Sequence, residues 1–218
     1  MLSFAEENYL KAIYHLSNAG ALDVSTNALS DMMNTKPASV SDMIKKLDDK
    51  GLVSYRKYYG VNVSKKGKTH ALQIIRKHRL WEVFLVEKLK FNWDEVHEVA
   101  EQLEHIRSSL LTQRLDEFLG YPRSDPHGDP IPDENGVMAV AKKVPLDKVE
   151  IGSKGKVVAV DDGDSSFLQY LNKIGIYLGA RLEVKDKLAF DGSLEVLIDG
   201  KKKAFISREV SQNILISD

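Results

Sequence analysis

Four residues on one predicted helix, His97, Glu101, Glu104 and His105, are spaced four, three and one apart. At about 100° per residue they fall on one face. Imidazole nitrogens and carboxylate oxygens gathered in this way are ligands for a divalent cation. An earlier predicted helix carries His78 and Glu82, also four apart, inside the arc occupied by Ile74, Ile75, Leu85, Val86 and Leu89. A polar pair in an apolar arc needs a carboxylate, an imidazole or a metal ion to satisfy it. Two His–carboxylate helices facing each other are how bundle metal sites are built. The chain has no cysteine, which excludes disulfides, thiolate zinc sites and a cysteine nucleophile. The nitrogen and oxygen donors left suit Mn, Fe, Co, Ni or Zn rather than Cu(I). Taken alone, the 97–105 cluster equally suits a solvated face of His–Glu pairs, and the 78/82 pair a dry hydrogen-bonded network. His15 and His70 have no such company. No Gly-rich phosphate loop or serine nucleophile elbow is present.

A second chemistry lies further forward. A predicted helix from Pro37 to Gly51 offers Ala38, Ser39, Ser41 and Asp42 in its first turns and Lys45, Lys46 and Lys50 beyond. Small residues allow close approach to a DNA groove, hydroxyls bond bases or phosphates, and lysines suit phosphates. A hairpin around Tyr59 and Gly60 adds Arg56 and Lys57, interleaved with Tyr55, Tyr58 and Tyr59. Thr35, Lys36, Pro37, Ala38, Ser39, Ser41, Asp42, Lys45, Lys46, Arg56 and Lys57 form the candidate DNA-contact set. The bland alternative is a protein-interaction domain with a solvated lysine face.

The elements that must position these groups follow from periodicity. Residues 3–17 read as a helix capped by Ser3, with Glu6 three residues later and an apolar stripe of Tyr9, Leu10, Ile13 and Leu16. Ser25 or Thr26 starts a short helix, and Pro37 suits the first turn of the next. Helix, helix, turn, helix and hairpin is the order of a winged helix-turn-helix. Residues 67–90 form a long helix. A second is expected from Asp94 to Phe118, with Val96, Val99, Leu103, Ile106 and Leu110 as a packing seam. Gly120–Gly136 holds four of the six prolines and reads as loop. From Leu146 onward, VVAV, RLEV, LEVLI and KAFIS are short strands, with one helix near Ser166–Lys173, giving a small β-barrel. The predicted class is mainly α with a β tail. Its parts are a winged domain (1–65), a helical dimerisation and metal-binding domain (66–140) and the barrel (146–218).

Composition agrees. The 218 residues suit two or three domains, and 43% hydrophobic content supports ordinary cores. No apolar run approaches the roughly 18 residues needed to span a membrane, and the N-terminus lacks a signal pattern, so a cytoplasmic location is expected. The net charge of −1 conceals an asymmetry: residues 1–80 hold 13 Lys or Arg against 7 Asp or Glu. A basic front half suggests a polyanion partner.

The stretches ENYLKAIYHL, KPASVSDMIKKLDDKGLV, RKHRLWEVFL, VHEVAEQLEHIRS and SDPHGDPIPDENG, in this order, resemble the diphtheria-toxin-repressor-like metalloregulators, which include the manganese transport regulators. The likeness covers essentially the whole chain and extends to a FeoA-like or SH3-like tail. It implies a homodimer that, loaded with Mn(II) or Fe(II), binds palindromic operators in double-stranded DNA and represses metal-uptake genes. Metal is then an effector rather than a catalyst. The resemblance places a primary site at Asn8, Glu101, Glu104 and His105. It places an ancillary site at His78, Glu82 and His97, with Asp162 and Asp164 as tail-domain candidates and Asp125 and His127 as further ligands. Relatives usually carry Met or Asp at the position of Asn8, and the iron-type members Cys at that of Glu101. Lys11 replaces a carboxylate of bacterial manganese regulators. A hard carboxylate at 101 favours Mn(II), with Fe(II) as the alternative. The competing classes are a Glu/His metallohydrolase and a metal-free adaptor.

Overall fold

The computed structural model describes residues 2–139, 142–161 and 165–217. Its internal contacts divide the chain into two units: Met1–Arg79 with Glu101–Thr112 and Pro132–Met138, and Leu80–Ala100 with Gln113–Ile131 and Ala139–Asp218.

In the first unit, α1 (Phe4–Leu16), α2 (Thr26–Met32) and α3 (Pro37–Asp49) precede the hairpin β1 (Val53–Arg56) and β2 (Gly60–Val63). The expected capping box forms: the Ser3 hydroxyl accepts from the Glu6 amide, and the Glu6 carboxylate accepts from the Ser3 amide. Such a cap contributes about 1 kcal/mol. Ser25 caps α2 through the Ala28 amide, and Pro37 occupies the first turn of α3, where its missing N–H costs nothing. The hairpin pairs Val53 with Val63 and Arg56 with Gly60. Leu10, Ile13, Leu29, Ile44, Leu47, Leu52 and Val61 close one core beneath these elements. The winged helix-turn-helix is therefore present as its element order predicts.

The long helix α4 (Lys65–Glu87) starts in this unit and continues into the second. Its first turn carries Gly67. A Cβ there would sit 1.8 Å from the Leu52 carbonyl oxygen, so the glycine lets helix backbone lie directly on the chain leading into β1.

The single helix expected from Asp94 to Phe118 is two helices, α5 (Val96–Leu103) and α6 (Ser109–Phe118). Ser108 starts the second by accepting the Leu111 amide. The seam from Val96 to Leu110 therefore does not run on one helix. Val96 is buried, whereas Ile106 and Leu110 are exposed.

In the second unit, Leu80, Val83, Leu115 and Ile131 form a small helical core. The tail is a six-stranded antiparallel sheet of β3 (Val144–Pro145), β4 (Lys154–Val160), β5 (Arg181–Lys187), β6 (Leu194–Ile198), β7 (Lys202–Ile206) and β8 (Ile214–Ser217), in the order β3-β8-β4-β5-β6-β7. Alternation is plain in β6, where Leu194, Val196 and Ile198 face the core. Register shifts between Val157 and Ala159 and between Val184 and Asp186 mark bulges, which bend a sheet around its own core. α7 (Ser165–Ile174) matches the expected tail helix, and α8 (Arg208–Gln212) is additional.

Gly67→Ala is expected to lower stability by about 1–3 kcal/mol, the range for forcing atoms into a packed contact. A lower urea midpoint with an unchanged slope reads this out. An unchanged midpoint would mean that the helix is not held against the Leu52 carbonyl.

Candidate metal centres and nucleic-acid interface

One cluster belongs wholly to the first unit. The spacing of Glu7, Asn8 and Lys11 places them on adjoining faces of α1. Glu104, just past the end of α5, is fully buried. Lys11 Nζ donates to both of its oxygens at 2.8 Å and reaches Glu101 Oε1 at 3.5 Å. His78 Nδ1 lies 2.6 Å from Glu104 Oε2. Burial alone would raise the Glu104 carboxyl, but the hydrogen bond from His78 and the nearby Lys11 charge outweigh it and hold the group below its ordinary value.

His105 is oriented from the opposite side. Its Nδ1 lies 2.6 Å from Glu7 Oε2. With that nitrogen donating, Nε2 presents its lone pair toward Glu104 Oε1 at 3.9 Å. That distance is too long for a hydrogen bond but leaves space for a shared cation. Phe4 stacks on the ring at 4.6 Å. Arg107 lies 5.7 Å over Phe4 and donates to the Leu2 carbonyl at 2.7 Å, fixing the start of α1 to the segment after α5. Asn8 Oδ1 is a buried acceptor with no hydrogen-bond partner among the described residues.

Asn8, Glu101, Glu104 and His105 were candidates from the sequence. Glu7, the grip of Lys11, Phe4 and Arg107 were not. Glu7 and Lys11 are four apart on one helix and look like an ordinary intrahelical ion pair, so nothing local marks them as partners of residues more than 90 positions away.

A second cluster belongs wholly to the second unit. Glu82, Asp125 and His127 are buried, and each offers a ligand atom within 4.8 Å of the others. His127 Nε2 is 2.7 Å from the Trp93 carbonyl. That nitrogen must carry the proton, and Nδ1 faces Glu82 Oε2, 3.9 Å away. A ring anchored through one nitrogen and presenting the other is the usual arrangement of a metal-ligating histidine. Asp125 Oδ1 accepts the backbone amides of His127 and Asp129 at 2.8 and 3.0 Å, and Trp93 stacks on the His127 ring. His97 Nδ1 approaches Glu82 Oε1 at 3.5 Å. His78 stands one turn before Glu82 on α4, with its Nδ1 on Glu104. Asp162 and Asp164 lie outside the described residues.

The candidate DNA contacts lie on α3 and the wing. Lys36, Pro37, Ala38, Ser39, Asp42, Lys45 and Lys46 are exposed, whereas Thr35 and Ser41 are half-buried. Ser41 Oγ donates to the Pro37 carbonyl at 3.0 Å, and Lys45 lies 3.8 Å from Asp42. On the wing, Lys57 lies 5.0 Å over the Tyr58 ring and Arg56 5.4 Å over the Tyr59 ring. Arg56 also pairs with Asp23, so a phosphate contact from Arg56 requires it to exchange partners.

Both clusters fit a hard divalent cation: their carboxylate, imidazole and amide donors are of the right type, and Asn8 supplies a buried oxygen that no other described residue satisfies. Comparison with known proteins points the same way. The chain matches the model described as iron dependent repressor, N-terminal DNA binding domain, over residues 1–61. It matches iron dependent repressor, metal binding and dimerisation domain, over 64–133, and FeoA domain over 144–218. It is 28% identical to the iron-dependent repressor IdeR of Mycobacterium leprae, covering 96% of this chain and 95% of the relative. It is also 28% identical to the diphtheria toxin repressor of Corynebacterium diphtheriae, covering 89% of each. Among solved structures, a manganese-dependent transcriptional repressor in complex with manganese is 35% identical, with a TM-score of 0.88 over 98% of this chain and 99% of that one. ScaR with bound Cd2+ is 29% identical, with a TM-score of 0.81 over 98% and 99%. With both repressor models and the tail model matched in order along nearly its whole length, the chain belongs to the iron-dependent repressor family.

Proposed function

We propose that the chain is a metal-dependent transcriptional repressor that binds palindromic operators of metal-uptake genes as a homodimer in the cytoplasm. Mn(II), with Fe(II) as the alternative, is its effector. The observation that carries this reading is the composition of the Glu104 cluster. α1, an element of the winged domain, supplies Glu7, Asn8 and Lys11, and residues 101–105 supply the rest. A cation held there fixes α1. Glu6, the neighbour of Glu7, holds Lys50 at the C-terminal end of α3 at 2.5 Å, so the position of α1 bears on the reader helix. Glu101, Glu104 and His105 with the Asn8 oxygen would hold the ion, and Glu7 would orient His105. An effector acts by favouring one arrangement over another, to the extent of its differential affinity for the two.

Glu82, Asp125 and His127, with His97, form the ancillary site in this reading, while His78, which the family resemblance also assigns there, is held on Glu104. Exposed Leu110, Leu111 and Phe118 on α6 suit contact with a second copy, in keeping with the dimerisation domain matched over 64–133. No helix among the described residues is long and apolar enough to cross a membrane. The repressor names of IdeR, the diphtheria toxin repressor and the manganese-dependent repressor weigh against the metallohydrolase and adaptor readings.

Operator occupancy measured against buffered free Mn(II), and anaerobically against free Fe(II), is expected to rise steeply with Mn(II). Fe(II) activation without Mn(II) activation would overturn the choice of metal, and DNA binding indifferent to metal would overturn the repressor reading. Neutralising Lys45, Lys46 or Lys57 should each reduce the magnitude of the log-affinity versus log-salt slope by about 1. Unchanged slopes would remove these residues from the interface.

Glu82→Gln and His127→Ala should each abolish metal uptake at the ancillary site, lowering the number of Mn(II) ions bound while leaving the Glu104 centre loaded. Elemental analysis after gel filtration counts them. A stoichiometry equal to that of the unaltered protein would leave Glu82, Asp125 and His127 as a metal-free network.

A further inference from the structure

The donors of Lys11 are spent on the very carboxylates that would hold the effector. An ammonium has three N–H donors and no acceptor. Two of them meet Glu104 Oε1 and Oε2 at 2.8 Å, and Glu101 Oε1 lies 3.5 Å from the same nitrogen. The Lys11 side chain is 14% exposed and that of Glu104 0%, so water screens this contact little. An ionised carboxylate offers about four lone-pair directions. At Glu104, Oε2 already faces His78 Nδ1 at 2.6 Å as well as the ammonium, and Oε1 faces the ammonium and, at 3.9 Å, His105 Nε2. A divalent ion joining Glu104 to His105 therefore shares its carboxylate with a fixed positive charge at close range.

We propose that Lys11 is a tethered cation that competes with the effector metal for Glu104 and thereby sets the metal concentration at which the centre fills. The inference rests on the metal reading of this centre. Its physical content is a trade between two states of one carboxylate. Without metal, the ammonium neutralises a buried charge that would otherwise be costly. With metal, the ammonium must give up part of its grip on Glu104, and that loss subtracts from the binding affinity. A lysine is suited to the exchange because its flexible stem lets a compact charge turn aside without moving α1. Lys11 is a tuning residue here and not a ligand.

The test compares Lys11→Met, Lys11→Gln and Lys11→Arg in the full chain carrying Glu82→Gln, so that the other candidate centre is silent. Mn(II) alone is the probe. Free Mn(II) is followed by electron paramagnetic resonance, and thermal unfolding is recorded in chelator and with Mn(II). The two neutral variants are expected to bind Mn(II) about tenfold more tightly, equivalent to about 1.4 kcal/mol. They should also unfold at a lower temperature in chelator and gain a larger upward shift on loading. The arginine variant, which keeps the charge, should bind within about twofold of the lysine protein. A merely structural lysine would lower both stability and affinity, so tighter binding together with lower chelated stability is the signature. If Lys11 is present and the centre takes up no Mn(II), the metal reading fails and this proposal with it. If Mn(II) binds but both neutral variants bind no more tightly, the proposal alone fails.

Discussion

Glu104 has no contact with water, and an ionised carboxylate in that position costs several kcal/mol unless cations and donors surround it. Much of the first unit's polar interior is organised around that requirement. α1 is placed so that Lys11 reaches both carboxylate oxygens, α4 is placed so that His78 reaches one of them, and His105 is turned by Glu7 to look at the other. The three segments that supply these groups are far apart in sequence, so the charge acts as a long-range tie. Removing one partner of such a buried pair typically costs about 3–5 kcal/mol, far more than an exposed ion pair. A requirement of this kind makes an element responsive to added cations, because the same carboxylate that demands neutralisation accepts a divalent ion.

The two clusters share a principle of construction. In each, one ring nitrogen of a histidine is committed to an oxygen, Glu7 for His105 and the Trp93 carbonyl for His127. The other then faces a buried glutamate at 3.9 Å. The committed bond fixes the tautomer and the plane of the ring. Aromatic stacking by Phe4 and by Trp93 holds that plane from the side. Both sites are thus pre-oriented by neutral or oppositely charged protein groups before any ion is considered, which limits the entropy that binding has to remove.

What the sequence disclosed follows from range. The capping box of Ser3 and Glu6, the Pro37 start of α3 and the Tyr59-Gly60 wing are encoded within a few residues, and they formed as read. Glu101, Glu104 and His105 were legible as a cluster because they lie within five residues of one another, but the single helical face expected for them with His97 does not form: α5 ends at Leu103, Glu104 and His105 stand in the turn beyond it, and His97 faces Glu82 instead. The break between α5 and α6 was not, because the apolar spacing of Val96, Val99, Leu103, Ile106 and Leu110 continues across it and neither Gly nor Pro marks it. Ser108 followed by Ser109 was the available signal, as a serine that caps a new helix. β3 and β8 escaped because a two-residue strand and a terminal one carry too little alternation. The salt bridge from Lys11 to Glu104 was out of reach, since nothing local to either residue names a partner 93 positions away.

The family models divide the chain between residues 133 and 144, but its hydrogen bonds ignore that division. The His127 carbonyl accepts the amide of Val160 on β4. Gly128 lies so close to the Val158 carbonyl that a Cβ would come within 1.9 Å of it. The Trp93 indole donates to Asn172 of α7. The loop that presents Asp125 and His127 is in effect laid along the tail sheet. The tail is therefore ill suited to exchange as an independent module: a foreign domain grafted at that boundary would have to reproduce a backbone groove fitted to one glycine before the neighbouring histidine could keep its place.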